Sequence, residues 1–94
     1  MFVFADEFKG FSGYSKAIRE LAFAMSKLTD VCLLENNTLG YIPDRIYHLI
    51  HRGMPKLEKD DFILARPFFN SAFSSLAERC SEPNSPRLIA NIVL

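Results

Sequence analysis

Four short, almost wholly apolar runs punctuate this chain: Phe2-Val3-Phe4-Ala5, Val31-Cys32-Leu33-Leu34, Phe62-Ile63-Leu64-Ala65 and the segment from Arg87 to Leu94, interrupted only at Asn91. Consecutive apolar residues, as opposed to alternating ones, mark strands buried on both faces, and such strands belong to parallel sheets covered by their own crossover helices. Stretches with helical spacing lie between the runs, so the order βαβαβαβ and an α/β fold follow. Residues 1–94 make one domain with a small parallel sheet of four strands, a Rossmann-like half domain. If the first connections wind one way and the last crosses over, strand order is 3-2-1-4. The loop after the first strand then lies at the switch point, where such sheets take ligands.

The helices are predicted from periodicity and boundary residues. Tyr14, Ala17, Ile18, Leu21, Ala22, Met25 and Leu28 form one apolar stripe with Lys16, Arg19, Glu20 and Lys27 opposite; Ser12 is the N-cap and Thr29-Asp30 the end. Phe23 falls among the charges; it is an isolated exposed ring or, with Phe8 and Phe11, part of a surface covered by another chain or domain. Pro43, Asp44, His51, Arg52 and Gly53 carry the boundary signals of a helix over 43–52. In a third helix Phe69, Ala72, Phe73, Leu76, Ala77 and Cys80 make the apolar face, with Asn70, Ser71, Ser74 and Glu78 on the other. The final strand is expected at a sheet edge and is too apolar to stand free there, so a partner chain, a second copy in a homo-oligomer or further elements of a longer protein should cover it.

Charge excludes some functions. Lys plus Arg and Asp plus Glu each total 11, giving zero formal net charge, so no basic field exists to bind nucleic acid, and weak self-repulsion favours association. Cys32 and Cys80 have neither the number nor the spacing of a zinc site or disulfide framework and read as buried thiols. Asp44, His48 and His51 share a helical face at spacing that could converge on a metal, but that face lies opposite Ile42, Ile46, Leu49 and Ile50 and reads as solvated surface. No metal or cofactor is expected. Asp6 and Glu7 follow a strand as in phospho-acceptor receiver domains, yet the third strand ends in Ala65-Arg66-Pro67 and supplies no acceptor Asp; strand-end solvation is their plain role. The apolar N-terminus reaches Asp6 within a few residues and no run approaches the ~20 residues of a membrane span, which points to a cytoplasmic protein without a membrane segment.

The strand, the Gly10-x-x-Gly13 turn and the helix that follows carry the functional signal. A helix N-terminus presents backbone N–H groups and partial positive charge, and a glycine-lined approach, with Lys9 or Lys16 nearby, suits an anion. The same glycines also serve an ordinary strand-to-helix turn, and neither a dinucleotide fingerprint nor a phosphate-loop Gly-Lys-Ser/Thr is present.

The segment Phe11-Ser12-Gly13-Tyr14-Ser15-Lys16-Ala17-Ile18-Arg19-Glu20-Leu21-Ala22, followed by the strand Asp30-Val31-Cys32-Leu33-Leu34, resembles the opening of glycosyltransferases of the two-domain GT-B type, group 1, family 4. The later run Arg87 to Leu94 resembles a later strand of the same N-terminal domain. The resemblance implies an acceptor-side domain in which Gly10, Ser12, Gly13 and Tyr14 face a sugar acceptor or the diphosphate of a nucleotide sugar. It further implies a nucleotide-sugar domain with paired acidic residues eight positions apart; no two glutamates here have that spacing, so this polypeptide is expected to be incomplete and inactive alone. The alternative is a non-catalytic α/β module that self-associates through its apolar edge strand.

Overall fold

The structure, a computed structural model, describes residues 1–35, 39–66 and 73–90. It is an α/β fold. Five strands, β1 (Phe2–Ala5), β2 (Val31–Leu34), β3 (Ile50–His51), β4 (Phe62–Ala65) and β5 (Arg87–Ala90), pair throughout in parallel in the order β3-β2-β1-β4-β5. Two α-helices, α1 (Gly13–Met25) and α2 (Phe73–Arg79), and a 3-10 helix at Asp44–Leu49 complete the described elements.

The sheet has five strands, not the four expected. The added strand forms where the sequence predicts the end of a helix over 43–52: Pro43 caps a 3-10 helix that stops at Leu49, and Ile50-His51 then pair with Leu33-Leu34. Ile50 gains a place against the core, and the Glu35 N–H donates to the His51 carbonyl at 2.7 Å, so the backbone polar groups there are satisfied by the sheet instead of a last helical turn. Phe62–Ala65 therefore lies on the far side of β1, paired Phe2 to Phe62 through Ala5 to Ala65, and not beside β2. Residues 69–72 of the expected third helix and 91–94 of the expected last strand lie outside the described residues.

Pleat alternation divides the core into two layers. Phe4, Val31, Leu33 and Leu64 face α1 and the 3-10 helix, where they meet Phe8, Ile18, Ala22, Ile46 and Leu49. Val3, Ala5, Cys32, Ile63 and Ala65 face the other way, against Leu76 of α2 and the half-buried Met54 and Leu57. Burial pushes the Cys32 thiol up to about 11, so it stays protonated and behaves as a small apolar group. At the opening of β4 the Asp61 carboxylate accepts from the Met1 ammonium at 2.6 Å and from the Glu58 N–H at 2.8 Å, which hold it below the usual carboxylate range. Among the described residues no helix is long and apolar enough to cross a membrane.

Helix α1 is rolled away from its expected orientation. The sequence stripe turns out half solvated, with Leu21 46% and Leu28 88% exposed, whereas Ser15, Ile18, Arg19 and Ala22 are buried. The roll is roughly a fifth of a turn, and it brings Arg19 from the expected solvent face to the loop after β1. Phe23, expected outside, packs at the core margin with Lys27 and Arg45 over its ring at 4.8 and 5.1 Å.

Candidate functional site

The chain winds outward from β1 to β2 and β3, then crosses back to β4 on the other side of β1. The crevice beyond the C-terminal ends of β1 and β4 is thus the topological switch point of the sheet, the position at which open α/β sheets take ligands. Because Ala5 and Ala65 are paired, Asp6 and Arg66 emerge side by side above it. Tyr14, in the first turn of α1, joins them: its hydroxyl donates to Asp6 Oδ2, and the Arg66 guanidinium lies 3.9 Å from its ring centroid. Asp6 is buried, with its second oxygen accepting from the Glu7 N–H at 2.7 Å. A carboxylate, a phenol and a guanidinium from three elements are thereby gathered at one point.

The turn between β1 and α1 is built by short-range bonds. Ser12 caps α1, its hydroxyl accepting the Ser15 N–H at 3.1 Å and bonding the Ser15 hydroxyl, which donates to the Lys9 carbonyl at 3.0 Å. Gly10 has φ +117°, a left-handed conformation that L side chains rarely adopt. Gly13 begins the helix with open space where a Cβ would stand. Arg19 closes the turn from beneath, one guanidinium nitrogen donating to the Phe8 carbonyl at 3.1 Å and the Gly10 carbonyl at 2.6 Å.

Of the expected anion loop, Tyr14 stands with Asp6 and Arg66, whereas Gly10, Ser12 and Gly13 form the turn between β1 and α1, with Ser12 committed to the cap. Lys9 does not serve as expected: it is buried and its ammonium pairs with Glu35 beyond β2, clamping the loop to the sheet. Phe8 is wholly buried, so it marks no surface for another chain. Asp6 is buried and hydrogen-bonded, not the solvated strand end expected, and sequence reading missed both Arg66 beside Tyr14 and the bond of Ser15 to the Lys9 carbonyl. The signal for Arg66 was its place immediately after a strand, the same place that singled out Asp6; that for Ser15 was the three-residue spacing from Ser12.

A second loop leans on the first. A Cβ at Gly40 would lie 2.8 Å from Lys9 Cβ, 2.9 Å from Gly10 N and 3.0 Å from the Lys9 carbonyl carbon, so only glycine allows this approach. Gly40→Ala must displace backbone and is expected to destabilise by about 1–3 kcal/mol, measured by chemical denaturation; a loss under a few tenths would show that the loops part without cost.

Asp44, His48 and His51 are exposed and divided between the 3-10 helix and β3, so the single helical face drawn from their spacing does not exist. Among the described residues no group of three or more His, Cys, Asp or Glu side chains could hold a metal ion. No protein-family model, curated protein or solved structure matches the chain.

Proposed function

We propose that residues 1–94 are the acceptor-side Rossmann-like domain of a GT-B-type glycosyltransferase, positioning an anionic group in the β1–β4 crevice while a second domain of that type holds the nucleotide sugar. The observation that carries this reading is the meeting of Arg66, Tyr14 and Asp6 at the switch point, where α1 begins at the exposed Ser12 and Gly13. Arg66 supplies a planar cation steadied by an aromatic face, and the helix supplies N–H groups and partial positive charge. Asp6 accepts the hydrogen bond of the tyrosine hydroxyl and so holds the ring against which Arg66 lies. The resemblance of residues 11–34 to the transferase opening supports the same reading.

The test is titration with inorganic pyrophosphate and with uridine diphosphate glucose at millimolar concentration, following the amides of residues 10–16 and Arg66. Shifts confined to those residues are expected, together with a loss of affinity of about tenfold in Arg66→Ala. An unmoved spectrum overturns the reading.

One observation favours a second reading, a self-associating module without a ligand. Among the described strands β5 lies at the sheet edge, with Ile89 40% exposed and Ala90 also exposed, whereas the opposite edge is the two-residue β3, Ile50-His51, followed by Arg52. Short charged edges resist pairing and apolar ones invite it. A dimer mass with no ligand-induced shift selects this second reading; a monomer that binds pyrophosphate selects the first.

A further inference from the structure

A cavity lies at the opposite end of the sheet from the crevice. Its walls are residues 54–57, which lead toward β4, the last turn of α2, and residues 82–86, which lead into β5. Its volume is about 360 Å³, the size of a small-ligand pocket. The buried Ile63 and Leu76 form its floor, and the half-buried Met54, Leu57 and Cys80 enclose them. The wall after α2 is built by local bonds. The Ser81 hydroxyl donates to the Glu78 carbonyl at 2.6 Å, the Ser85 hydroxyl to the Arg79 carbonyl at 2.9 Å, and the Ser85 N–H to the Glu82 carbonyl at 3.3 Å. Pro83 and Pro86 restrict the same turn further, so a ligand need not order this wall.

The charges at the rim are unequal. Lys56 stands on one wall and Arg79 on the other, and Glu82 is the one carboxylate among the lining residues. All three are exposed, and among the described residues none of them is in an ion pair. A cationic ligand would meet two like charges and one opposite charge. A small, wholly polar anion would leave the apolar floor unused. No aromatic ring lines the cavity, so an aromatic ligand has nothing to stack on. An aliphatic chain ending in a single negative charge uses both floor and rim.

We propose that this cavity binds a medium-chain aliphatic carboxylate, its tail over Ile63 and Leu76 and its carboxylate between Lys56 and Arg79. The site shares no residue with the β1–β4 crevice and stands apart from the acceptor-side reading.

Cys80 supplies the readout. It lines the cavity and is half-buried, whereas Cys32 is buried, so alkylation of the folded chain by N-ethylmaleimide reports on this one position. The whole chain is titrated with octanoate at millimolar concentration, and in parallel with acetate and with octanol, following the alkylation rate and the amides of Lys56, Leu57, Arg79 and Cys80. Octanoate is expected to slow alkylation by about fivefold near saturation and to shift those amides. Lys56→Gln and Arg79→Gln should each weaken octanoate by about twofold to fivefold, whereas Glu82→Gln should tighten it by about twofold. All three positions are exposed, so the variants should keep the parent circular dichroism spectrum. The amide shifts decide alone if Cys80 resists the reagent in the free chain. Equal binding of acetate overturns the role of the floor, and equal binding of octanol that of the rim; either result sinks the proposal. So does an octanoate affinity indifferent to the three charge changes, or a chain that does not respond to octanoate.

Discussion

Arg19→Ala is expected to lower stability by about 2–4 kcal/mol, which in a domain of this size corresponds to a fall of roughly 10–30 °C in melting temperature. Arg19 is 6% exposed, and its guanidinium joins the Phe8 and Gly10 carbonyls at 3.1 and 2.6 Å. Truncation removes a buried charge, so the cost of desolvating that charge disappears with it. Two carbonyls then lose their donor at a place where the loop is closed over them, and an unsatisfied buried acceptor costs more than a made bond gains. A void beside Ala22 and the loss of the Tyr41 contact add to the deficit. Arg19→Met fills most of the volume and isolates the hydrogen-bond contribution, expected at about 1–3 kcal/mol. Arg19→Lys presents an ammonium that lacks the planar fork, and should fall between parent and Met. Denaturant midpoints measure all three, and an alanine variant within about 1 kcal/mol of the parent would falsify the bracing role given to Arg19.

Arg19 also explains why part of the molecule is legible in the sequence and part is not. Strand identities follow from local composition: every described apolar run is a strand, because continuous apolar residues can be satisfied only by cover on both faces. The N-cap at Ser12 is equally local, a hydroxyl three residues ahead of the N–H it accepts. Orientation is not local. The stripe from Tyr14 to Leu28 counts Arg19 as a solvent residue because hydrophobicity says nothing about where carbonyls will want a donor. Those carbonyls belong to a loop whose shape depends on Gly10 and on the later Gly40. Likewise the boundary signals around Pro43 and Gly53 describe a helix correctly in isolation, but β2 offers Ile50 and His51 sheet partners that helix propensity cannot foresee. The crevice was legible as a place, since the first strand-loop-helix unit lies at the switch point. Its chemistry was only half legible: Tyr14 was in view, whereas Arg66 arrives from β4, some fifty residues later in the chain, and became a neighbour only once β4 paired with β1.

Phe8→Ala tests whether the loop is part of the core or a cover laid over it. Phe8 is 0% exposed and shares its layer with Phe4, Ile18, Leu33 and Ile46, although it lies beyond the end of β1. Loss of a buried phenyl ring usually costs about 3–5 kcal/mol, a large part of the roughly 5–15 kcal/mol that holds a small domain together. The variant is therefore expected to be partly unfolded at 37 °C, with Phe8→Leu, which keeps most of the volume, losing no more than about 1.5 kcal/mol. Hydrogen exchange separates the two possibilities. If the loop is core, protection falls together in β1, β2 and α1; if it is cover, only residues near 6–12 lose protection while the strands keep theirs. The first outcome is expected, because the Phe8 ring and carbonyl are gripped independently, the ring by the apolar layer and the carbonyl by Arg19. The two grips act on one residue, so the double variant Phe8→Ala with Arg19→Met should lose less than the sum of its parts. Strict additivity would mean that ring and carbonyl are held by unconnected structures, and the crevice would then lack the shared support from which its fixed geometry follows.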